Sequence, residues 1–301
     1  MKVASSKYFG ALLGALFSLA ATRADAATFT VTNTNGSGTG SLVAAVTNAS
    51  NIAGADTVVF NIPTTDPNFR GGVFTIIPSA GLFLGSSTSI DGATQTLFSG
   101  DTNPSGPEIL VRNMGFDLSG NDNLLANLVI TTGMRITGNR NKLQGCYIGT
   151  NAAGSADFDS GADSEILITR GGDNIIGGLT PGQGNVISGS FYGMRMSECG
   201  ANNQVLGNKI GTDATGTRAI PNQYGIYFDG GTNAVNTTFA NNVISGNGGG
   251  GSTGNGLTVS APQNQVTRSV FITGNKDSRC RPCPNAPHPH RRAPAPACAK
   301  R

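Results

Sequence analysis

The sequence predicts an all-β fold, a parallel β-helix solenoid closed at its N-terminal end by a short capping helix. The first observation behind this is a repeat. Ser164-Glu165-Ile166-Leu167-Ile168, Tyr192-Gly193-Met194-Arg195-Met196, Tyr224-Gly225-Ile226-Tyr227-Phe228 and Asn255-Gly256-Leu257-Thr258-Val259 align, with their third residues 28, 32 and 31 positions apart. Periods of this size mark solenoids and arrays. The second observation is that every period holds three short β-prone segments. Asn174-Ile175-Ile176, Asn203-Gln204-Val205, Asn233-Ala234-Val235 and Asn264-Gln265-Val266 form the second series. Asn185-Val186-Ile187, Asn208-Lys209-Ile210, Asn242-Val243-Ile244 and Val270-Phe271-Ile272 form the third. The third observation is the punctuation. Gly and Asn separate the segments, and no helical periodicity runs through them. A chain that bends three times per lap and stacks lap on lap is a parallel β-helix. Asn suits the bends because it tolerates the left-handed backbone region and can bond its own backbone or a stacked Asn. Asn174, Asn203, Asn233 and Asn264 are therefore expected to form a ladder, the alternative being independent turn residues.

Taken in order, residues 1–26 read as a secretory leader. Lys2 and Lys7 supply the positive start, Phe9 to Ala21 the apolar run, and Ala24-Asp25-Ala26 a small-x-small cleavage site. The apolar run is too short for a bilayer-spanning helix, so the expected location is secreted, extracellular or on the outer cell surface. Residues 27–275 form the β-helix domain, with 27–62 as its N-terminal cap. In the cap, Phe29-Thr30-Val31 alternates as a strand. Ser41 is a helix N-cap, and Leu42, Val46 and Ala49 share one helical face. Asp56-Thr57-Val58-Val59-Phe60 is the next strand. A solenoid's open end exposes core and unpaired backbone, so a cap is required there. Val73 to Ile77, Ser89-Ile90, Glu108 to Val111, Phe116 to Leu118, Leu124 to Ile130 and Met134 to Ile136 are the early strands, with prolines between and not within them.

Several of these stretches resemble bacterial secreted right-handed parallel β-helix proteins with CSLREA-type N-termini and a pectin-lyase-like fold. Gly40-Ser41-Leu42, Asn48-Ala49 and Asp56 to Phe60 are similar to the group's leader. Ser89-Ile90-Asp91-Gly92-Ala93-Thr94-Gln95 and Gly106-Pro107-Glu108-Ile109 are similar to its next landmarks. Ile148-Gly149-Thr150-Asn151-Ala152-Ala153-Gly154 and Ile210-Gly211-Thr212-Asp213-Ala214-Thr215-Gly216 resemble its recurring loop. The likeness spans roughly 28–275. It departs at Val43-Ala44, where the group carries Arg-Glu or Arg-Gln, and in having no Cys before Ser41. The resemblance implies right-handed winding and a surface, adhesive or pectin-lyase-like protein.

After Asn275 the composition changes. Residues 276–301 hold six of the fourteen Pro, three of the five Cys and both His. An out-of-frame or truncated reading, a basic Pro-rich disordered tail, and a metal site from Cys280, Cys283, His288, His290 and Cys298 all stay open for this segment. It also distorts the charge. It carries seven Lys/Arg against one Asp, whereas 27–275 has ten Lys/Arg against fifteen Asp/Glu. The mildly acidic body gives no basic patch for a nucleic-acid partner. Cys146 and Cys199 fall in different parts of different laps and are expected to be buried thiols with no bond between them.

Chemistry is sought on the first strand of each lap. Alternation sends the outer residues of Met134-Arg135-Ile136, Ile166-Leu167-Ile168, Met194-Arg195-Met196, Ile226-Tyr227-Phe228 and Leu257-Thr258-Val259 inward. The outward row is then Arg135, Leu167, Arg195, Tyr227 and Thr258, with Thr137, Thr169, Ser197, Asp229 and Ser260 beside it. Arg135 and Arg195, two laps apart, would sit roughly 10 Å apart, an interval that suits successive carboxylates of an acidic polysaccharide. Tyr227 offers a stacking face beside Asp229. The ligand-binding candidates are therefore Arg135, Arg195, Tyr227 and Asp229, although an ordinary solvated strand face would show the same alternation. For catalysis the candidates are Arg195, Glu198 and Asp229, as in a polysaccharide lyase or glycoside hydrolase. No adjacent Asp pair occurs, and Arg135-Ile136 is followed by Thr137 and not Lys, which argues against a polygalacturonase. Asp157, Asp159 and Asp163 are the nearest approach to a calcium cluster and read as a solvated loop. The run Gly248 to Gly251 lacks the Lys-Ser/Thr of a phosphate loop. No cofactor or metal is implied. The expected role is a structural and binding module for a polysaccharide or cell-surface glycan, with the lyase or hydrolase as the alternative.

Overall fold

The computed structural model describes residues 25–158, 164–229, 231–248, 255–259, 270–273 and 276–277. The chain winds as a parallel β-solenoid with three sheets, two of nine strands and one of seven. The first sheet runs from Thr28–Val31 through Asp56–Phe60, Thr88–Asp91, Leu124–Ala126, Lys142–Gln144, Ile175–Gly177, Gln204–Leu206 and Thr237–Ala240 to Val270–Thr273. The second stacks Val73–Ile76, Ile109–Val111, Val129–Ile130, Tyr147–Ile148, Val186–Ile187, Lys209–Ile210, Val243–Ile244 and Lys276–Asp277, with Phe69–Arg70 antiparallel at its edge. The third stacks Leu82–Leu84, Phe116–Leu118, Met134–Ile136, Ser164–Thr169, Tyr192–Ser197, Tyr224–Phe228 and Leu257–Val259.

Parallel pairing puts like side chains above one another, and the core is a set of such columns. In the second sheet Ile76, Val111, Ile130, Ile148, Ile187, Ile210 and Ile244 share one inward column. Leu118, Ile136, Ile168, Met196 and Phe228 form the corresponding column of the third. All of them are almost fully buried. Each such side chain contributes about 1.5–3 kcal/mol relative to exposure.

Buried asparagines hold the corners. In the first sheet the Oδ1 atoms of Asn123, Asn141, Asn174 and Asn203 accept the backbone N–H of Thr88, Asn123, Asn141 and Asn174, each one lap earlier, at 2.8–3.1 Å. A second ladder joins Asn185, Asn208 and Asn242 at the entry to the second sheet. A shorter one joins Asn222 to Asn247. The residue before each member of the first ladder (Asp122, Arg140, Asp173 and Asn202) has φ between 57° and 62°. The left-handed turn swings the next side chain inward, where its amide satisfies backbone groups that the bend would orphan.

The ladder differs from the sequence expectation at Asn233. Asn203 stacks on Thr237, not on Asn233, because Gln204 and Val205 pair with Thr238 and Phe239. Asn233 is exposed. The tripeptide Asn233-Ala234-Val235 imitates the repeat, but Phe239 is the residue that fills the core, 5.5 Å from the Phe228 ring. The shift carries into the next lap. Val270–Thr273 belongs to the first sheet and pairs with Thr237–Ala240, while Lys276–Asp277 takes the third-series place beside Val243–Ile244. That last strand lies past residue 275, where the repeat ends in the sequence reading. Asn264 and residues 278–301, with Cys280, Cys283, His288, His290 and Cys298, lie outside the described residues, as do leader residues 1–24, Asp159, Asp163, Ser260 and residues 249–251.

The helix α1, Leu42–Asn51, forms the cap. Ser41 Oγ accepts the Ala44 N–H at 3.2 Å, and Leu42, Ala45, Val46 and Ala49 are buried. It packs on Thr28–Val31 and Leu82–Leu84, closing the first lap. Leu124 to Ile130 is two strands and not one, bent at Asn127, whose φ is 54°. Leu82–Leu84 and a second helix, α2 at Ala93–Ser99, have no counterpart in the sequence reading. The buried Gln95 of α2 accepts from Ile62 N–H and donates to Ile62 C=O, both at 2.9 Å. Among the described residues no helix is long and apolar enough to cross a membrane.

Candidate functional site

The outward row of the third sheet is fixed residue by residue. Phe83, Asp117, Arg135, Leu167, Arg195, Tyr227 and Thr258 are successive Cα partners, though Thr258, in the last lap of the sheet, is buried. Thr169 and Ser197 are partners in the adjoining column, and Asp229, next after Phe228, extends it by a lap.

Two halves of this row differ. On the N-terminal side Arg135 is paired with Asp117 through Nε, at 3.1 Å, and through Nη2. Two unengaged guanidinium groups spaced two laps apart are therefore not what the face presents. Asp117 neutralises the first, and Leu167 stands between it and Arg195.

On the C-terminal side the face is aromatic. Tyr192 and Tyr224 are partners in neighbouring laps, with rings stacked at 5.2 Å and 24°. Phe191 packs edge-on against both, at 4.8 and 5.5 Å, and the Tyr227 ring lies 5.6 Å from Tyr192. The Arg195 guanidinium carbon sits 5.7 Å from the centroid of the Tyr192 ring, within cation–π range. Its buried Nε makes no hydrogen bond. Asp229 Oδ2 accepts from Ser197 Oγ at 2.9 Å, and its buried Oδ1 has no partner. Arg195, Tyr227 and Asp229 are thus brought onto one face, together with three aromatic residues absent from the sequence-based set. The signal for Tyr192 and Tyr224 was their identical place in the repeat. Simple alternation hides them, because Tyr192 and Arg195 both face outward although they are three positions apart. Phe191 is half exposed at 46 %.

Glu198 lies apart from this set. It is exposed, at the turn after Ser197, with φ 48°, where it serves the corner geometry and its carbonyl accepts from Arg170 N–H at 3.1 Å.

A groove of about 800 Å³ lies at the corner between the first and second sheets, lined by Thr96, Glu108, Asn127, Tyr147, Leu179 and Lys209 among others. Two of its charged groups, Glu108 and Lys209, are already engaged. Glu108 accepts from Thr96 Oγ1 at 2.7 Å, and Lys209 Nζ donates to Ala214 C=O. Burial holds the Tyr147 hydroxyl above its ordinary pKa. The unsatisfied polar atoms beside the tyrosine cluster make the third-sheet face the stronger candidate. Among the described residues no cluster of three or more His, Cys, Asp or Glu is placed to hold a metal ion. Cys146 and Cys199 are both buried, with no disulfide between them.

A scan against protein-family models found no match, and a search of curated proteins found none either.

Proposed function

We propose that this chain is a secreted or cell-surface binding module whose third-sheet face takes a polysaccharide or glycan. The observation that carries this reading is the cluster of Phe191, Tyr192, Tyr224 and Tyr227, flanked by Arg195 and the Ser197–Asp229 pair. Tyrosine rings present apolar faces with polar tips, which suits a sugar's mixture of C–H faces and hydroxyls. Arg195 Nε and Asp229 Oδ1 are a buried donor and a buried acceptor with no partner within the protein, and Arg195 and Tyr227 are themselves only partly buried, so the face keeps polar groups that the fold does not use. The leader pattern of residues 1–26 and the likeness to secreted CSLREA-type β-helix proteins support the location. That likeness also supports an adhesive role.

The test is a screen of neutral and acidic glycans, followed by calorimetry on the best binder. Tyr192→Ala and Arg195→Ala are each expected to weaken binding about tenfold or more, the range of hot-spot tyrosines and arginines, with circular dichroism unchanged. Intact glycan should be recovered after incubation. New unsaturated or reducing ends, lost in Arg195→Ala, would replace this reading with the lyase or hydrolase one. Binding that survives both substitutions would remove the face from consideration.

A further inference from the structure

The N-terminal end of the first sheet breaks the rule of the corner ladder at one position. Going back from Asn123 along the same inward column, the residues are Thr88, Asp56 and Ala27, each register step fixed by the neighbouring strand pairs. Later laps as far as Thr237 place a neutral amide or hydroxyl there. The lap that begins at Asp56–Phe60, next to the terminal strand, places a carboxylate, and Asp56 is only 1 % exposed. Its Oδ1 performs the ladder's ordinary task, accepting the backbone N–H of the preceding lap, here Ala27, at 2.8 Å. Its Oδ2 is buried and accepts from nothing. A buried carboxylate with one amide donor is a costly group. An Asn would make the same Oδ1 contact without the charge.

Ala27 is also the residue that follows the small-x-small sequence Ala24-Asp25-Ala26. Asp25 and Ala26 are exposed, so the bond ahead of Ala27 stands clear of the fold. We propose that hydrolysis of the Ala26–Ala27 bond by a leader peptidase places the new α-ammonium of Ala27 on the Asp56 carboxylate, so that processing completes the first lap. Water adds across the amide. Ala26 departs with the carboxylate, and the nitrogen stays on Ala27 and takes up protons as an ammonium. One N–H donor becomes three, enough to serve Oδ1 and the unpartnered Oδ2 together, and the contact becomes a charge-assisted ion pair. Asp56 then stands where a neutral side chain serves in later laps because it alone faces the strand that begins the processed chain. Thr57 N–H donating to Ala27 C=O at 2.8 Å already holds that residue in register.

The experiment begins with the mass of the processed N-terminus of protein recovered from a secreting host, expected to be Ala27. The chain beginning at Ala27 is then compared with the same chain acetylated at Ala27 and with one beginning at Ala26. The acetylated form keeps an N–H donor and loses only the charge. The free form is expected to show a folded-to-unfolded ratio about tenfold or more above both others, the range of a charge-assisted contact. In Asp56→Asn that gap should close. Should Asp56→Asn not fold, the comparison of free and acetylated wild-type side chains decides alone. An N-terminus at any other residue, or equal stability of the free and acetylated chains, overturns the proposal.

Discussion

Replacing Asn208 by Ala tests whether the corner ladders hold the solenoid together. Asn208 is fully buried. Its Oδ1 accepts from Asn185 N–H at 3.0 Å and from Asn185 Nδ2 at 2.9 Å. Its Nδ2 donates to Ile176 C=O at 2.9 Å and to Asn242 Oδ1 at 3.0 Å. Truncation leaves the Asn185 N–H without its acceptor inside the protein. An orphaned buried group costs about 1–3 kcal/mol, and each lost net hydrogen bond about 0.5–1.5 kcal/mol. Ile176 C=O loses a donor but keeps a second lone pair, so it falls at the low end. The Asn185 and Asn242 amides keep their bonds to Leu143 C=O and Asn208 N–H. The total is about 3–5 kcal/mol on these ranges, a large part of the ~5–15 kcal/mol of an ordinary domain. Asn233→Ala is the control. Asn233 sits in an Asn-x-Val tripeptide of the same pattern but is exposed, and should cost about 0.5 kcal/mol or less. Guanidinium unfolding followed by circular dichroism measures both, and hydrogen exchange at the Asn185 amide reports the local opening. An Asn208→Ala cost under about 1 kcal/mol, or an equal cost for Asn233→Ala, would refute the ladder as the source of stability.

Two further outcomes follow from titratable groups. Burial would raise the Asp213 carboxyl, but the Thr215 hydroxyl and the amides of Arg218, Thr217 and Gly216 outweigh it and hold the group below its ordinary value. A lowered folded-state pKa means that the stabilisation is present above the unfolded value near 3.9 and is lost as pH falls through the folded one. Thr217 and Arg218 amide protection should therefore fall in strong acid, and Asp213→Asn should flatten that dependence. Burial pushes the Cys146 thiol up to about 12, so Cys146 and the equally buried Cys199 should resist thiol reagents at pH 8 until denaturant is added. Rapid labelling of native protein would place a thiol at the surface.

The parts of the fold legible in the sequence are those in which one residue's place repeats in the next lap. Ile166, Met194, Ile226 and Leu257 align in sequence at the register that the third sheet adopts. The cap helix was legible because Ser41 and three apolar residues satisfy a local rule. The failures are equally physical. Asn233-Ala234-Val235 satisfies the same local pattern as Asn203-Gln204-Val205, and only the need to fill the core beside Phe228 selects Phe239 instead. The helix α2 has no side-chain cap and spans seven residues, and its one buried residue is the polar Gln95, so nothing local announces it.

The same contrast separates the inside of the solenoid from its candidate site. Inward positions are constrained by backbone groups that must be satisfied at every corner, which is why their chemistry repeats as Asn on Asn and Ile on Ile. Outward positions carry no such duty, and there the row changes residue type at each lap, from Asp117 to Arg135, Leu167, Arg195 and Tyr227. Asp117 and Arg135 spend their charges on each other. Arg195 and Asp229, two and three laps on from Arg135, keep a buried donor and acceptor uncommitted beside four aromatic rings. Asp229 Oδ2 ties its lap to the preceding one through Ser197 Oγ, but Arg195 Nε and Asp229 Oδ1 make no such tie. Their place beside the stacked tyrosines is what the proposed binding face rests on.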